Sequence, residues 1–294
     1  MERLLIIGCG DIARRALPEL QKRYRVSALA RSREPALEAA GVELIEGDLD
    51  VPDSLAFLAG RAECVVHLAP PAEGGALDVR TRNLVAALAS PCKSGAMLPH
   101  RFVYISTSGV YGDCGGDFVD ETRPLNPRTA RARRRLDAER TLTEWGGRDA
   151  VEIVILRVPG IYASDRLPLA RLKRGTPALR EEEDGYTNHI HADDLAGVLV
   201  AALESPHARG VYNASDDSQM KMGDWFDLVA DRAGLARPQR VSRIEAERVI
   251  GPELLSFMNE SRRLVNRRMK EELGVRLCYP TVADGVPRTF AATA

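Results

Sequence analysis

The most unusual chemical feature of the sequence is a run of six arginines within fifteen residues, NPRTARARRRLDAER, from Asn126 to Arg140. Such a run could be a patch for nucleic acid, an ordinary solvated helix face, or an active-site helix whose expected residues have been replaced. A dedicated nucleic-acid binder is usually basic over its whole domain. The formal net charge here is -1, which argues against nucleic acid as a partner.

A second feature is a glycine turn near the amino terminus, IIGCGDIARRA, in which Gly8, Gly10 and Ala13 form a G-x-G-x-x-A pattern. The turn follows a strand-like segment and opens a helix-like one, which is the context that gives the pattern meaning. The first glycine allows a tight turn, the second lets a pyrophosphate approach the backbone, and the small Ala13 allows close packing. The helix N-terminus would add free N–H groups and partial positive charge. The sequence therefore predicts a dinucleotide site, with a simple packing turn as the alternative.

The end of the second predicted strand bears on the choice of coenzyme. In ALARSR, Ala30 stands where an NAD-binding protein usually carries an acid, and Arg31 and Arg33 follow it. Because arginine suits a 2′-phosphate, NADP is predicted in preference to NAD; alternatively, both arginines face water. Asp48, after the third strand, could accept a hydrogen bond from the adenine amino group, or it could cap a helix beginning near Pro52.

Alternating strand and helix patterns predict an α/β fold with a doubly wound parallel (Rossmann) sheet and a smaller C-terminal substrate lobe. Residues 1–162 and 189–217 are assigned to the dinucleotide-binding domain, and residues 163–188 and 218–294 to the lobe. A short strand in GVYNAS is expected to return to the main sheet. The six strands predicted before it are Arg3–Gly8, Tyr24–Ala30, Gly41–Asp48, Glu63–Pro71, Arg101–Gly112, a range that includes the exit turn of its strand, and Val151–Tyr162.

The cysteines and the apolar segments bear on location. An odd, scattered set with no CxxC pair fits a reducing compartment and argues against a disulfide framework or a zinc site. No segment approaches the roughly 20 apolar residues that span a bilayer, and the N-terminal apolar run is too short for a signal peptide. A cytoplasmic protein without membrane contact is expected. The five cysteines are Cys9, Cys64, Cys92, Cys114 and Cys278.

Taken in order, these segments resemble the extended short-chain dehydrogenase/reductase family, the NAD-dependent epimerase/dehydratases. The resemblance covers essentially the whole chain and rests on GCGDIA, GDLDVPDSL, VVHLA, YISTSGVYGD, LRVPGIY, NHIHADDLA and GVYNAS. It implies a nicotinamide coenzyme in the glycine-turn crevice. The coenzyme contacts that follow are Gly8, Gly10, Asp11, Ile12, Arg31, Arg33, Asp48, Leu49, Leu68, Ala69, Pro70, Ser106, Arg135 and Pro159.

The resemblance also implies a catalytic set, and here the sequence departs from the family. Family members use a Ser or Thr after the fifth strand, which falls on Thr107, and a Tyr-x-x-x-Lys pair on the next helix. Matching RLDAE to the usual KLEAE puts Arg131 at the tyrosine and Arg135 at the lysine. Arg135 could still donate to ribose hydroxyls, whereas Arg131 could not shuttle a proton. The run is therefore interpreted as an active-site helix whose acid/base pair is replaced and whose other arginines are solvated, and it resembles an atypical branch of the family that keeps the coenzyme but lacks the tyrosine.

Another group would then have to move the proton. Tyr111, in GVYGD, is the leading replacement base, with a packed or substrate-contacting tyrosine as the alternative. Asp113 and Asp117 are more distant candidates. His189 and His191 alternate along an extended stretch, so only one of them can face the cleft, and a structural histidine is the alternative for either.

Substrate contacts are expected from four residues around this cleft, and two of them are cationic. If Arg131 and Arg166 both face the cleft, the substrate is anionic, for instance a phosphate or a nucleotide-sugar. The sequence thus favours an NADP-dependent oxidoreductase or epimerase/dehydratase acting on a sugar-like or phosphorylated metabolite; the alternative is a non-catalytic NADP-binding sensor. Family members often pair through helices beside the sheet, so the resemblance allows a homodimer. The expected substrate contacts are Ser108, Arg131, Arg166 and Asn188.

Overall fold

A computed structural model describes residues 1–90, 97–251, 255 and 258–287 of the chain, so that Cys92 lies outside the described residues. Its strands are spread from Glu2 to Leu264, and several of them are only two residues long. They are β1 (Glu2–Ile7), β2 (Tyr24–Ala30), β3 (Glu43–Glu46), β4 (Cys64–His67), β5 (Arg101–Thr107), β6 (Phe118–Val119), β7 (Glu152–Val158), β8 (Gly160–Tyr162), β9 (Ala178–Leu179), β10 (Tyr186–Thr187), β11 (His189–His191), β12 (Gly210–Asn213), β13 (Met220–Lys221), β14 (Arg240–Val241) and β15 (Arg263–Leu264).

Helices alternate with the strands of the first half and dominate the C-terminal part. They are α1 (Asp11–Leu20), α2 (Pro35–Ala39), α3 (Val79–Leu88), α4 (Ala130–Asp149), α5 (Leu169–Lys173), α6 (Ala192–Glu204), α7 (Met222–Ala233), α8 (Arg243–Val249), α9 (Arg267–Leu273) and α10 (Val282–Gly285). Short 3-10 turns cover Pro52–Leu55, Ser108–Tyr111 and Glu181–Glu183. In the ranges that the structure describes, no helix is both long and apolar enough to cross a bilayer.

Seven strands form one parallel sheet in the order β12-β7-β5-β4-β1-β2-β3. The order reverses between β1 and β4, which is the topology of a doubly wound dinucleotide-binding fold. The predicted fold class is confirmed. The strand predicted in GVYNAS is β12, and it returns to the sheet beside β7 as expected.

Both faces of the sheet are covered, which explains why its strands read as continuous apolar runs. In β1, Leu4 and Ile6 point into one apolar cluster, whereas Leu5 and Ile7 point into another. Helices α1, α6 and α9 contribute to the first cluster, and α3 and α4 to the second. All four of these β1 side chains are buried. The sheet therefore holds the carboxyl ends of its strands on a rigid, two-sided core.

The fifth and sixth predicted segments both turn toward the site. The segment predicted over Arg101–Gly112, a strand with its exit turn, is a strand to Thr107 followed by a 3-10 turn over residues 108–111. The strand predicted over Val151–Tyr162 is interrupted at Pro159, which lacks an N–H for the ladder. Beyond that proline, β8 pairs with β11 instead of the main sheet.

A separate apolar cluster lies in the segments predicted to form the smaller lobe. It combines side chains of α5, α7 and α10, with Trp225 and Phe226 as its largest members. Tyr162, at the end of β8, also belongs to it. The domain boundaries assigned from the sequence stay a prediction, but these segments do have an apolar centre of their own.

Candidate coenzyme and substrate site

Three cavities lie along the carboxyl edge of the parallel sheet. The outer cavity, of about 440 Å³, is bounded by residues that follow β2 and β3, among them Arg31 and Asp48. The turn cavity, of about 570 Å³, lies over the glycine turn after β1. The cleft, of about 440 Å³, lies between Thr107 on the sheet and Asn188 on the C-terminal side.

The three cavities are continuous with one another. The outer and turn cavities share wall residues, and so do the turn cavity and the cleft, which makes a single trough across the sheet edge. The first shared set is Gly8, Cys9, Glu34, Ala69 and Pro70. The second shared set is Thr107, Arg131, Pro159, Ile161 and Arg166. A ligand lying along this trough would pass from Asp48 over the glycine turn to Thr107.

The glycine turn has the shape that a pyrophosphate requires. Gly8 has a φ of +94°, and a Cβ there would lie 2.6 Å from the backbone nitrogen of Ala69, so only glycine fits. A Cβ at Gly10 would meet nothing within 4 Å, so this position opens onto the cavity. The first N–H groups of α1 lack partners within the helix and favour an anion. This cradle fits the diphosphate of a dinucleotide.

Nearly all of the predicted coenzyme residues line this trough. The turn cavity is lined by Gly8, Gly10, Asp11, Ile12, Leu68, Ala69, Pro70, Ser106, Arg135 and Pro159. The outer cavity adds Arg31, Asp48 and Leu49. Arg33 lines none of the three cavities, and its guanidinium pairs instead with Glu38 at 2.8 Å.

Asp48 faces the outer cavity and does not cap the following helical turn. Its carboxylate accepts a hydrogen bond from the backbone N–H of Asp50 at 2.9 Å. The turn Pro52–Leu55 has Val51 at its N-cap, with no side-chain cap bond. Glu34, which the sequence did not single out, lines the same cavity and pairs with Arg14 at 2.6 Å. The wall of the outer cavity thus contains acidic residues together with the arginines Arg31 and Arg80.

The arginine run forms the start of α4, and its residues lie in different environments. Arg135 is buried against the sheet, where it donates to the Tyr104 hydroxyl at 2.9 Å and to the Ile105 carbonyl at 2.8 Å. Its Nε is buried without a partner in the described structure. Arg134, which we expected to be solvated, is also buried and donates to the Gly75 carbonyl at 2.9 Å. That expectation was wrong, and a purely solvated helix face is excluded.

Arg131 and Thr107 meet where the turn cavity joins the cleft, since both residues line both spaces. The start of α4 is fixed by Thr129, whose hydroxyl accepts from the N–H of Ala132 at 3.1 Å. Thr107 is the last residue of β5, and its hydroxyl oxygen accepts from the N–H of Gly109 at 3.2 Å. Ser108, Arg166 and Asn188, predicted to contact substrate, line the cleft as well.

Tyr111, the leading replacement base, lies in the core and lines none of the three cavities. Its hydroxyl donates to Asn213 at 2.8 Å and accepts from Arg157 at 3.0 Å. Burial raises the pKa of Tyr111 to about 12, against the opposing effect of the Arg157 charge. The structure therefore does not bring it to Thr107. Asp113 and Asp117 also lie outside the walls of the three cavities.

One of the two histidines lines the cleft, as their alternation predicted. His189 is in its wall, whereas His191 accepts from the N–H of Asp193 at the start of α6 and stacks on Tyr279. Burial lowers the pKa of His189 to about 3, so its ring is neutral near pH 7. It packs against Trp225 and Tyr162. These contacts fit a structural histidine better than a proton donor.

A buried ion pair supports the sheet directly behind Thr107. Glu139 of α4 bonds Arg157 of β7 at 2.8 Å, and both side chains are 5% exposed. The hydroxyl of Ser106 donates to the same carboxylate. The sequence analysis did not single out Glu139 or Arg157, because a pair joining a helix to a distant strand leaves no local pattern. Ser106, predicted to contact coenzyme, is thus also an anchor for α4.

The far wall of the cleft contains a second ion pair that sequence reasoning missed. Arg262 donates to Glu260 at 2.8 Å, and both side chains are about nine-tenths buried. Tyr186 lines the same wall. The side-chain amide of Asn188 donates a hydrogen bond to the carbonyl oxygen of Arg262 at 2.9 Å. The C-terminal segment contains no motif with a recognisable spacing, so its contribution to the cleft could not be predicted from the sequence.

The chain belongs to the NAD dependent epimerase/dehydratase family, whose model matches residues 4–215. A relative from a Streptomyces species, a 3-diazoavenalumate denitrifying reductase, is 28% identical over 308 residues, covering 97% of this chain and 99% of the relative. BRI1-5 ENHANCED 1 of Arabidopsis thaliana is 25% identical, covering 72% of this chain and 69% of that protein.

Solved structures agree with the family assignment. A functionally unknown conserved protein from Silicibacter pomeroyi is 30% identical with a TM-score of 0.76, covering 97% of this chain and 96% of that one. A UDP-glucuronic acid 4-epimerase from Bacillus cereus, in complex with NAD, is 20% identical with a TM-score of 0.75. The likeness covers 98% of this chain and 97% of the epimerase, and it shows the shared fold.

Proposed function

We propose that the protein is an NAD(P)-dependent oxidoreductase of the epimerase/dehydratase type that acts on a small anionic metabolite, sugar-like or phosphorylated. The observation that carries this proposal is the continuity of the trough. A coenzyme-shaped space over the glycine turn opens, at Thr107 and Arg131, into a separate cleft of about 440 Å³. A protein that only sensed its coenzyme would not need that second space.

Each part of the trough has a proposed task. A bound nicotinamide coenzyme would supply or accept a hydride at the junction with the cleft. Gly8 and Gly10 would leave room for the pyrophosphate, and Arg135 would donate to ribose hydroxyls. Thr107 would polarise the reacting group of the substrate by a hydrogen bond. Arg131 would hold an anionic group of the substrate, since a guanidinium keeps its proton and cannot act as an acid or base.

NADP remains the proposed coenzyme in preference to NAD. Support comes from Arg31, which lines the outer cavity, and from Ala30, which leaves the usual position of the ribose-binding acid without a carboxylate. Arg33 is engaged with Glu38, so the preference depends on Arg31 alone. Glu34 in the same cavity would oppose a 2′-phosphate, although Arg14 offsets its charge. The predicted selectivity is therefore modest.

The test is a titration of coenzyme-free protein with NADPH and NADH, followed by a metabolite screen for a change in nicotinamide absorbance. We expect saturable binding of NADPH and turnover of an anionic metabolite. The Arg131→Tyr/Arg135→Lys variant would carry the family pair, and it should gain reduction of carbonyl substrates that the parent handles slowly. Protein that ignores both coenzymes at millimolar concentration would refute the proposal.

A second candidate function is the reductive removal of dinitrogen from an arenediazonium ion. The observation that favours it is the Streptomyces denitrifying reductase, which matches 97% of this chain. In such a reduction the carbon gains a hydride and its C–N bond breaks, so that a diazonium ion and one hydride give R–H and dinitrogen. The product takes no proton from the protein, which is compatible with arginine at position 131.

A matched pair of probes distinguishes the two candidates. The probes are 4-carboxybenzenediazonium and 4-carboxybenzaldehyde, each with a coenzyme deuterated at the transferred position. Denitrifying reduction predicts deuterated benzoate above the background of a Gly10→Val control, and no reduction of the aldehyde. Reduction of the aldehyde alone would favour the first candidate.

Three further statements stay predictions. A non-catalytic, coenzyme-sensing role is the alternative to either reaction, and it predicts binding without turnover. A cytoplasmic location follows from the scattered cysteines, of which Cys9, Cys64, Cys114 and Cys278 are free in the described residues. A homodimer is allowed by the family resemblance and is checked by light scattering.

A further inference from the structure

The amino ends of three neighbouring strands bring together a carboxylate, a thiol and an imidazole. Glu2 begins β1, Cys64 begins β4, and His100 directly precedes β5. Cys64 Sγ lies 3.4 Å from His100 Nε2 and 4.0 Å from Glu2 Oε2. His100 Nε2 lies 3.5 Å from Glu2 Oε1. Because the strands are parallel and adjacent, residues far apart in sequence meet at this edge, opposite the coenzyme trough.

We propose that Glu2, Cys64 and His100 bind a zinc ion. Zinc takes sulfur, nitrogen and oxygen ligands at about 2.0–2.3 Å, which in a tetrahedral arrangement puts the donor atoms about 3.3–3.7 Å apart. The separations that involve His100 fall within this range. The separation between Cys64 and Glu2 exceeds it by a few tenths of an ångström, and the exposed Glu2 side chain is free to close that gap by rotation.

The ligand set identifies the class of metal. Thiolate and imidazole suit zinc and other late transition metals, whereas Mg²⁺ and Ca²⁺ require oxygen ligands. The Cys64 side chain is buried, whereas the side chains of His100 and Glu2 are each about half exposed. An ion would therefore be seated on a buried sulfur with a path to solvent. Three protein ligands leave the fourth position to water.

The nearest arginines are engaged elsewhere, so they do not compete for the site. Arg101, beside Cys64 in the sheet, pairs with Glu152 and donates to the carbonyl oxygens of Leu203 and Ser205 at 2.8 and 2.7 Å. Arg3 pairs with Glu63 at 3.1 Å. Neither Arg3 nor Arg101 therefore occupies the Glu2 carboxylate, which is left available to a cation at this position.

The proposed zinc site is structural: it links β1, β4 and β5, and it takes no part in chemistry at Thr107. The sequence concealed it, because its ligands come from three strands and not from a CxxC pair. The ion would hold together the strand ends that open first when a sheet frays. Zinc should therefore stabilise the fold and leave coenzyme binding unchanged.

The experiment uses full-length, tag-free, chelator-treated protein titrated with zinc against a chromophoric competitor. We expect one equivalent of zinc, with the affinity lowered at least tenfold by Cys64→Ser and by His100→Ala. The exposed Cys278 supplies the control, since Cys278→Ser should bind zinc as the parent does. Zinc should raise the melting temperature of the parent and of this control only.

Cobalt substitution tests the ligand set directly. A thiolate-to-cobalt charge-transfer band in the near ultraviolet should be present in the parent protein and absent in Cys64→Ser. His100 is exposed, so His100→Ala should fold even if the buried Cys64 variant does not. Failure of the parent to bind one equivalent, unchanged affinity in His100→Ala, or a cobalt spectrum without the thiolate band would each overturn the proposal.

Discussion

At the scale of single residues, the two glycines of the turn should respond differently to the same substitution. Gly8→Ala places a Cβ 2.6 Å from a backbone nitrogen and at a positive φ, so it should cost about 1–3 kcal/mol of folding free energy. Gly10→Ala meets open space, so its melting temperature should stay near that of the parent. The added methyl instead fills the phosphate cradle and should weaken coenzyme binding at least tenfold.

Thermal melts and coenzyme titrations of both variants check this prediction. Equal loss of stability in the two variants would mean that the open space at Gly10 is not real. Unchanged coenzyme affinity in Gly10→Ala would show that the coenzyme does not bind in the turn cavity.

Arg31 and Arg33 form a second matched pair at this scale. Arg31→Ala should lower NADPH affinity about tenfold, a loss of about 1.4 kcal/mol, and leave NADH affinity unchanged. Arg33→Ala should affect neither coenzyme, because that side chain is paired with Glu38 and lies outside the outer cavity. Fluorescence titration with both coenzymes makes the comparison. A larger effect from Arg33→Ala would reverse the assignment.

The residue scale shows why some of the site could be predicted and some could not. The glycine turn is local, since three positions in one stretch define it, and the predicted residues line the trough. The position of the Tyr111 side chain could not be predicted, because it depends on Asn213 and Arg157. These two residues are distant in sequence and bind the Tyr111 hydroxyl in the core. The sequence pattern predicts which face of an element is apolar, but it does not predict which polar residues will hydrogen-bond a side chain on that face.

At the scale of elements, α4 is held to the sheet by the Glu139–Arg157 pair. Removing only the acid leaves Arg157 buried and uncompensated, so Glu139→Leu should destabilise the fold by about 3–5 kcal/mol. In the double variant Glu139→Leu/Arg157→Met the stranded charge is gone. The loss should therefore be clearly smaller than the sum of the two single losses.

Denaturant unfolding of the two single variants and the double variant gives this coupling. Arg148, near the end of the same helix, pairs with Asp149 in solvent, so Arg148→Ala should leave the free energy of unfolding close to that of the parent. Additive losses at Glu139 and Arg157 would show that the pair is not what anchors α4.

Element types followed from pattern, whereas element ends did not. Alternating apolar runs and helices sufficed for the doubly wound sheet, because each buried strand must be covered on both faces. An exit turn after β5 was predicted, but the end of the strand at Thr107 was not, because VYG continues the apolar pattern while the backbone already turns. The break at Pro159 was readable, since proline cannot donate to a central ladder.

At the scale of the whole molecule, two buried histidines make stability fall in acid. Burial lowers the pKa of His67 and of His189 to about 3. Below about pH 6.5 both histidines bind protons in the unfolded chain but not in the folded chain. The free energy of unfolding therefore decreases as the pH falls from about 6.5 toward 3. Each histidine contributes a slope of about 1.4 kcal/mol per pH unit. Unfolding free energies measured from pH 4 to 8 should show this loss, and a flat profile between pH 4 and 6.5 would contradict it.

Asp216 contributes with the opposite sign, and a single substitution isolates it. Burial raises the pKa of its carboxyl to about 7, so the folded chain keeps a proton that the unfolded chain releases above about pH 3.8. Stability from this group is present in acid and is lost as the pH rises toward 7. Asp216→Asn removes that loss, so the variant should gain on the parent by about 1.4 kcal/mol per pH unit between pH 4 and 7, and by no more above that range. The exposed Asp224 provides the control, since Asp224→Asn should run parallel to the parent. A difference between Asp216→Asn and parent that stays constant from pH 4 to 7 would mean that Asp216 is ionised throughout, and that the buried charge is tolerated by a partner.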